Sequence, residues 1–351
     1  MNLKKYHKKG LTGLSNLGNT CFLNSSLQVL NHTYELNDIL DSSKCQEKIK
    51  KDLQDSDILN EWNDLRNVMW RGNGVVTPRK FVHNVHQIAT VKGKDLFTGW
   101  AQNDMPEFLL FIMDCMHNSI SRGLKVKVNG NTENDTDEIA VQCYRMLQTV
   151  YSTEYSEIME LFYGIYLSEI LSKEGETRHV LKPENYFMLD LPIIQPSGSV
   201  ATNLYECFDT FTQPEIMDGD NAWLNEATGE RIETQKRMSF WNFPKVLVIA
   251  LKRFSPDGSH KVENLIDFPM ENLDLSKYVR GYNAESYKYD LYGVCNHMGG
   301  VMGGHYTSYV KNAEGQWIHY NDGSVEIVPN PQMVISPMAY CLFYRKHGNL
   351  A

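Results

Sequence analysis

The sequence has no run of apolar residues long enough to span a lipid bilayer, which takes about 20 residues. Its longest apolar runs, such as VLVIAL at positions 246–251, have the length of a single strand. The basic N-terminal segment MNLKKYHKKG is not followed by an apolar segment, so a secretory signal peptide is not predicted. We therefore expect an intracellular protein of the cytoplasm, the nucleus or both, with no membrane among its partners.

The sequence also lacks an excess of positive charge and any pair of closely spaced cysteines. The formal net charge of −9 over 351 residues argues against a nucleic-acid partner, which would require a basic surface. The number of cysteines is odd, and no C-x-x-C pair occurs, so we expect neither a disulfide framework nor a cysteine-based zinc site. We expect no cofactor. The cysteines are Cys21, Cys45, Cys115, Cys143, Cys207, Cys295 and Cys341.

Helical patterns dominate the first third of the chain, and strand-like segments dominate the rest. Apolar residues recur at helical spacing in segments 22–40, 56–70, 78–89 and 104–120. A polar segment, VNGNTENDTDE at 128–138, predicts a surface loop, and a further helix is predicted over roughly 139–159. From about position 161 onward the patterns are those of mostly antiparallel strands. Helices followed by strands indicate an α+β fold, here in one large domain with lobes.

Cys21 stands where a turn leads into a predicted helix. In GNTCFLNSS, Asn19 or Thr20 can cap the helix, and Cys21 falls in its first turn. The helix dipole and the free amides of a first turn favour a thiolate, so we expect a lowered pKa for this thiol. Asn16 precedes the turn and could donate a hydrogen bond to an oxyanion. A capped helix with a core cysteine is the alternative that these residues alone leave open.

His305 follows a glycine-rich segment and begins a predicted strand. The segment NHMGGVMGGHYTSYV contains four glycines, which permit close approach by another chain. A histidine at this junction is suited to act as a general base, because its ordinary pKa lies near neutrality. A structural histidine is the alternative reading.

A predicted hairpin brings an asparagine or an aspartate to His305. KNAEGQW reads as the hairpin loop, so the strand from His305 returns antiparallel. A four-residue loop places His305 opposite Asp322, and we expect a three- or five-residue loop to shift the partner to Asn321. A cysteine, a histidine and an orienting Asn or Asp form the arrangement of papain-like cysteine hydrolases.

These segments resemble the motifs of the ubiquitin-specific proteases. GLSNLGNTCFLNSSLQVL resembles that family's cysteine box, and YDLYGVCNHMGGVMGGHYTSYVKN with WIHYNDGSV resembles its histidine box. WAQNDMPEFLLFIMDCM resembles the family's Q-x-D-x-x-E-F helix, and FPKVLVIALKRF resembles its palm strands. The resemblance extends over nearly the whole chain. It implies a deubiquitinase, with ubiquitin and ubiquitinated proteins as partners, acting as a monomer.

The resemblance also implies roles for individual residues. Cys21 would be the nucleophile, His305 the general base and Asn321 the third triad residue. Asn16 would contribute to the oxyanion hole, and Asp322 could share the orienting or water-positioning work. Positions expected to contact the ubiquitin tail are Gln102, Asp104, Glu107, His297, Gly304 and Tyr306, and the segment Met298–Gly304 corresponds to a mobile gating loop.

The implied architecture is a papain-like fold shaped as a right hand. A single catalytic domain would span positions 10–347, with a helical thumb at about 10–125 and sheet-built fingers at about 160–240. The palm sheet would take mainly 140–160 and 241–347. A cleft between thumb and palm would hold the extended ubiquitin tail, and its narrowness would select a tail that ends in two glycines.

One departure from the family pattern concerns the fingertips. Many members hold them with two C-x-x-C pairs around zinc, but LSEILSKEGETRHVL and DNAWLNEATGERIET contain no cysteine. We therefore expect no structural zinc and a fingers lobe that is shorter or packed differently. Two alternatives follow for the function. One is a protease for a ubiquitin-like modifier, and the other is a non-catalytic relative that binds ubiquitin.

Overall fold

A computed structural model of the protein describes residues 3–255 and 257–348. The helices are α1 (Cys21–Asn31), α2 (Tyr34–Asp41), α3 (Ser43–Gln46), α4 (Asp55–Arg71), α5 (Arg79–Val91), α6 (Met105–Ile120), α7 (Asp135–Glu154), α8 (Glu157–Phe162) and α9 (Leu204–Thr212). Short 3₁₀ helices cover Leu3–Tyr6, Gly219–Asn221, Ser276–Tyr278, Ala284–Ser286 and Pro331–Val334. Within the described ranges, none of the helices combines the length and apolar content that crossing a membrane requires.

The strands are β1 (Thr12–Leu14), β2 (Gly74–Val76), β3 (Gly164–Ser172), β4 (Arg178–Tyr186), β5 (Met188–Pro192), β6 (Glu215–Met217), β7 (Trp223–Asn225), β8 (Glu230–Ile232), β9 (Thr234–Asn242), β10 (Val246–Lys252), β11 (Leu273–Asp274), β12 (Lys288–Gly300), β13 (Gly303–Lys311), β14 (Trp317–Asn321), β15 (Ser324–Ile327) and β16 (Ala339–Lys346). We call α1–α6 the helical lobe.

Helix α1 lies at the centre of the molecule. Its apolar residues Leu23, Leu27 and Leu30 follow the predicted helical spacing, and all eleven of its residues are buried. The helix therefore packs on all sides, against the rest of the helical lobe and against the strands that follow much later in the chain. Burial on every side also takes its polar residues out of water.

Helix α7 begins earlier than the sequence predicts. The side-chain oxygen of Asn134 accepts a hydrogen bond of 3.0 Å from the backbone N–H of Asp137, and this cap starts the helix at Asp135. The polar segment 128–138 is therefore partly helical. The helix also ends sooner, at Glu154, and a new cap at Ser156 starts the separate helix α8.

The main sheet contains eight strands within the described residues. Its order is β15-β14-β13-β12-β16-β10-β5, and β11 pairs with β12 at one end. The pairs are antiparallel except for β5 with β10. Strand β10 is apolar almost throughout because both faces of the sheet are buried. Val246 and Val248 face the core shared with the helical lobe, whereas Leu247 and Ile249 face a second core that includes α9.

An outer sheet has the order β4-β3-β9-β6, and a small β7–β8 hairpin lies beyond it. Glu169 in β3 is fully buried and forms ion pairs with the guanidinium groups of Arg178, Arg237 and Arg280. The three guanidinium groups compensate the burial of this carboxylate. Arg178 and Arg237 belong to the outer sheet and Arg280 to the loop before β12, so the ion pairs join the sheet to that loop.

Strand β1 joins the N-terminal part of the chain to the turn between β14 and β15. It pairs in parallel with β2, and the backbone N–H of Leu14 donates a 2.9 Å hydrogen bond to the carbonyl of Asp322. Gly13 permits this approach, because an added Cβ would lie only 2.6 Å from the carbonyl carbon of Gly323. The segment before Cys21 is therefore joined directly to the turn between β14 and β15.

Candidate active site

Asn16 organises the turn that precedes Cys21. Its side-chain oxygen accepts hydrogen bonds from the backbone N–H groups of Gly18 (2.9 Å) and Thr20 (3.1 Å). Thr20 occupies the N-cap position of α1, but its side chain makes no cap hydrogen bond and instead accepts one from the backbone of Leu17. The prediction that Asn19 or Thr20 caps the helix is therefore wrong, and Asn16 satisfies the backbone groups of the turn.

The thiol of Cys21 is the first side chain of α1 and is only 4% exposed. Burial raises its pKa above the ordinary value of 9.0, and the nearby Asp322 carboxylate raises it further, although a hydrogen bond from the Tyr306 backbone acts in the opposite direction. The prediction of a lowered pKa is wrong for this conformation. The helix terminus does favour a thiolate, but removal from water outweighs that effect.

His305 and Asn321 are in direct contact. The ring Nε2 of His305 lies 2.7 Å from the side-chain Oδ1 of Asn321. Because an amide oxygen can only accept, Nε2 carries the proton, and Nδ1 is left with the lone pair that a general base needs. Within the described residues no hydrogen bond joins His305 to Cys21, but the backbone of the adjacent Tyr306 contacts the thiol.

The hairpin register differs from the predicted one. Lys311 pairs with Trp317, so five residues form the loop, and the ladder ends at Ser308 opposite Tyr320. Continued to its end, this register would place His305 opposite Gly323, not Asn321 or Asp322. The prediction for a five-residue loop is therefore wrong in register, and Asn321 reaches His305 as a diagonal neighbour.

Asp322 contacts the cysteine segment, not the histidine. It occupies the turn between β14 and β15 with φ +50°, a left-handed conformation that aspartate tolerates. Its Oδ2 accepts a 3.0 Å hydrogen bond from Asn16 Nδ2, and its Oδ1 accepts a 2.8 Å bond from Asn24 Nδ2. Asn24 is not among the residues predicted from the sequence. Its position one helical turn after Cys21 was the available signal, because residues three apart share a helix face.

A cleft of about 290 Å³ is lined by Tyr306, whose backbone contacts the Cys21 thiol. Its walls come from the start of α6, from Phe254 and from the β12–β13 hairpin, which continues through the predicted glycine loop as the pairs Gly299–Gly304 and Gly300–Gly303. Its lining includes five of the six predicted tail-binding residues, namely Gln102, Asp104, His297, Gly304 and Tyr306. Glu107 lies in the exposed first turn of α6 and does not line the cleft.

Several lining residues are already engaged with one another. Gln102 Oε1 accepts a 2.8 Å hydrogen bond from the backbone N–H of Gly304, which bridges the helical lobe and the hairpin. Asp104 caps α6 and accepts a 2.8 Å bond from the hydroxyl of Tyr340, while burial raises the pKa of its carboxyl. The ring of His297 is buried against Tyr306, and burial lowers its pKa to about 4. The His297 imidazole in the cleft wall is therefore uncharged near neutral pH.

The fingertip segments do not offer the donors of a cysteine-based zinc site. Across the described ranges, no three His, Cys, Asp or Glu side chains are grouped so that they could hold a metal ion. At the tip, the rings of His179 and Trp223 stack with centroids 5.5 Å apart, and Lys173 forms a 2.6 Å ion pair with Glu233. That this protein needs no structural zinc stays a prediction.

Three comparisons place the chain among known proteins. A family model described as "Ubiquitin carboxyl-terminal hydrolase" matches residues 12–344. The chain is 35% identical over 352 residues to ubiquitin carboxyl-terminal hydrolase 2 of Bos taurus and 34% identical over 352 residues to the protein of that name in Homo sapiens. Both alignments cover 96% of this chain and 55% of the relative. The chain thus spans about half the length of the curated relatives it matches.

A solved structure of the SAGA Ubp8/Sgf11/Sus1/Sgf73 module bound to ubiquitin aldehyde is also similar. The TM-score is 0.73 at 23% identity, with 97% of this chain and 70% of that chain covered. At this identity the likeness shows the fold alone, and it confirms the predicted α+β papain-like fold.

Proposed function

The chain belongs to the ubiquitin carboxyl-terminal hydrolase family, and from this premise we propose that it is a thiol-dependent deubiquitinase. It hydrolyses the peptide or isopeptide bond at the C-terminal glycine of ubiquitin. The observation that carries the proposal is the 2.7 Å contact between His305 and Asn321, together with the Cys21 thiol held by the backbone of the next residue, Tyr306, which also lines the cleft. This arrangement supports acyl transfer through a cysteine.

Acylation begins with transfer of the thiol proton of Cys21 to Nδ1 of His305. The thiolate attacks the glycine carbonyl, and the negative charge that develops on oxygen accepts hydrogen bonds from Asn16 Nδ2 and the Cys21 backbone amide. His305 then gives its proton to the departing lysine amine as the C–N bond breaks. A thioester between Cys21 and ubiquitin remains.

Deacylation reverses the roles with water as the nucleophile. His305 takes a proton from the water as it attacks the thioester carbonyl, and the same donors hold the oxyanion. The C–S bond breaks, the thiol of Cys21 recovers its proton from His305, and ubiquitin leaves with a free carboxylate. No cofactor takes part.

The conformation described here is a resting one. The thiol is buried with a raised pKa, and His305 bonds to Asn321 but not to Cys21. We propose that entry of the ubiquitin tail brings His305 Nδ1 to the thiol, so that the proton moves only when substrate is present. Catalytic hydrogen bonds often tighten only in the substrate complex.

The cleft is the proposed site for the ubiquitin tail. Gln102, Asp104, His297, Gly304 and Tyr306 line it, and the missing side chains of the glycine hairpin leave room for an extended backbone. Glu107 is proposed to contact the tail from the exposed rim of α6. A narrow, partly filled cleft accepts a tail that ends in two glycines and excludes larger side chains.

We further propose one catalytic domain at 10–347, acting as a monomer inside the cell, in the cytoplasm, the nucleus or both. The thumb covers about 10–125, the fingers about 160–240, and the palm mainly 140–160 and 241–347. The helical lobe precedes the outer-sheet strands, which lie between 164 and 242, and this order supports the division. Strand β5 is the exception, because it joins the main sheet from within the fingers range. Ubiquitin and ubiquitinated proteins are the proposed partners.

The test uses ubiquitin that carries an electrophile at its C-terminus. We expect covalent labelling of the wild type and of Cys143→Ala, which removes another buried cysteine, and no labelling of Cys21→Ala. Mass spectrometry of the adduct identifies the modified residue. Labelling or conjugate cleavage that persists in Cys21→Ala would overturn the proposal.

Probes built on ubiquitin-like modifiers separate the remaining functions. Reaction with such a probe, but not with the ubiquitin probe, would assign the protein to a ubiquitin-like modifier. Binding of ubiquitin without any labelling would instead indicate a non-catalytic ubiquitin-binding protein.

A further inference from the structure

Asn24 is a buried amide that contacts the active-site carboxylate. Its side chain is 2% exposed, and its Nδ2 donates hydrogen bonds to Asp322 Oδ1 at 2.8 Å and to the carbonyl of Leu14 at 3.2 Å. The two oxygens of Asp322 are thus divided between two amides, Asn24 in α1 and Asn16 before the turn. Each amide holds a different oxygen.

This division fixes the direction of the Asp322 carboxylate. The backbone of Asp322 is anchored through its carbonyl to Leu14, but the carboxylate could still rotate about its side-chain bonds. The hydrogen bond from buried Asn24 to Oδ1 prevents that rotation and turns Oδ2 toward Asn16. Amide-to-carboxylate hydrogen bonds are charge-assisted and therefore stronger than those between neutral groups.

Asn16 is in turn held at both ends of its amide. Its oxygen accepts from Gly18 and Thr20, and one hydrogen of Nδ2 goes to Asp322. An amide nitrogen carries two hydrogens, so one remains for the oxyanion. The direction of that second hydrogen depends on where Asp322 holds the first.

We propose that Asn24 is a positioning residue for catalysis. It orients Asp322, which orients Asn16, and so it aims the oxyanion donor without touching the substrate. The inference rests on the proposed function and assigns Asp322 to the oxyanion side of the site. Preorganised donors matter because they need no reorientation while charge develops.

Gln28 separates this role from a purely structural one. It lies one helical turn later in α1 and is equally buried, and its Nε2 donates a 2.8 Å hydrogen bond to the carbonyl of Thr12 in β1. Gln28 therefore makes the same kind of helix-to-strand contact as Asn24 but does not contact Asp322. It provides a matched control.

The experiment compares Asn24→Ala with Gln28→Ala on ubiquitin that carries a C-terminal fluorogenic amide. We expect Asn24→Ala to lower kcat by roughly 10-fold with KM changed less than about 3-fold, because the lost alignment acts in the transition state. Gln28→Ala should keep kcat within about 2-fold, even if both variants melt at similarly reduced temperatures. An equal loss of kcat in both variants would overturn the proposal.

Two further variants sharpen the result. In an Asp322→Ala background, Asn24→Ala should cause no additional loss of kcat, because both act through one chain of contacts.

Asn24→Asp places a second carboxyl against Asp322, and the pair can then share one proton. The value of kcat is expressed relative to wild type at each pH, so that pH effects common to all variants cancel. That ratio should rise from pH 8 to pH 6 for Asn24→Asp and stay flat for Asn24→Ala. The assignment would be contradicted if the kcat losses of Asn24→Ala and Asp322→Ala multiplied in the double variant. Equal pH profiles for Asn24→Asp and Asn24→Ala would also contradict it.

Crystal structures of the variants give a readout that does not depend on the reaction. The 3.0 Å contact between Asn16 and Asp322 should be lost in Asn24→Ala and kept in Gln28→Ala. If it survives in Asn24→Ala, the positioning role is wrong. If the wild type fails to turn over the substrate while this contact behaves as expected, the proposed function fails, and only the structural dependence of the Asn16–Asp322 contact on Asn24 is retained.

Discussion

Two adjacent residues, Asn321 and Asp322, serve different partners. Asn321 ends strand β14 and reaches the ring of His305, whereas Asp322 lies in the following turn and reaches Asn16 and Asn24. The chain changes between them from strand to a left-handed turn, and the two side chains reach different partners. In the proposed mechanism, Asn321 therefore orients the base and Asp322 orients the oxyanion donor.

This difference predicts the order of their effects. We expect Asn321→Ala to lower kcat/KM by about 10² to 10³-fold, because the ring loses the group that fixes its tautomer. Asp322→Ala should cost roughly 10- to 50-fold, because Asn16 keeps its own turn contacts. Steady-state kinetics with a fluorogenic ubiquitin amide measures both, and Asn321→Asp, which retains an acceptor, is the control. A larger loss for Asp322→Ala would contradict the assignment of Asn321.

The sequence indicates candidate reactive residues but not the state of the thiol. The turn, the helix start and the histidine are local patterns, and they identified Cys21 and His305 as a candidate pair. The raised pKa of Cys21 depends on burial against the strand that contains Tyr306, which joins the site only through tertiary packing. Asn24 was missed for the same reason, because its partner Asp322 comes from the other end of the chain.

At the scale of elements, the glycine hairpin is held from two sides. Gln102 bonds to Gly304 from the helical lobe, and Lys261 Nζ donates to the carbonyls of His297 (2.7 Å) and Gly299 (3.2 Å) from the main-sheet side. These contacts give the hairpin a defined position. Its geometry depends on the missing side chain at Gly304, where an added Cβ would collide with the Met298 carbonyl oxygen and the His297 ring.

Replacing this glycine should close the cleft. We expect Gly304→Ala to lower kcat/KM for the ubiquitin amide by about 10-fold or more, because the added Cβ displaces the His297 ring, which lines the proposed tail site. Gly72→Ala is the matched control, since an added Cβ there meets no atom within 4 Å and its backbone is extended. The kcat/KM of Gly72→Ala should stay within about 2-fold of wild type. Equal kinetics for the two variants would show that the hairpin does not form the tail site.

Element types were more predictable than their ends and registers. Apolar spacing identified the helices of the first third, but the start of α7 was placed late because the cap at Asn134 lies inside a polar segment. The hairpin register failed because it depends on loop length, and a change of one residue alters every pair. The parallel pairing of β5 with β10 joins distant segments and leaves no local pattern.

At the scale of the whole molecule, a buried histidine links stability to pH. His32 is 1% exposed, and its Nδ1 donates to the carbonyl of Gln28 at 2.9 Å. Burial, assisted by the charge of Arg345, lowers its pKa from 6.5 to about 4. The folded protein therefore holds a neutral ring, and unfolding below pH 6.5 takes up a proton.

The free energy of unfolding should decrease as the pH falls from 6.5 toward 4 and be unaffected by this group above 6.5. At pH 4, His32 lowers the free energy of unfolding by about 3 kcal/mol, and proton uptake by the native state reduces this loss. Urea denaturation at pH 7, 6 and 5 measures it. His32→Asn should flatten the slope, whereas replacing the exposed His83 by Asn should leave it unchanged. A slope that His32→Asn leaves intact would assign the pH dependence to other groups.

The contact between β1 and the turn at Asp322 has a mechanical consequence. It joins the segment that leads into Cys21 to the segment that contains Asn321, beside the junction of the helical lobe with the main sheet. If the two parts rotate apart to admit a substrate, a pivot at this contact moves the distant cleft walls by several times the displacement of the reacting atoms. Such a pivot would let the rim of the cleft open widely while the groups around Cys21 and Asn321 stay almost at rest.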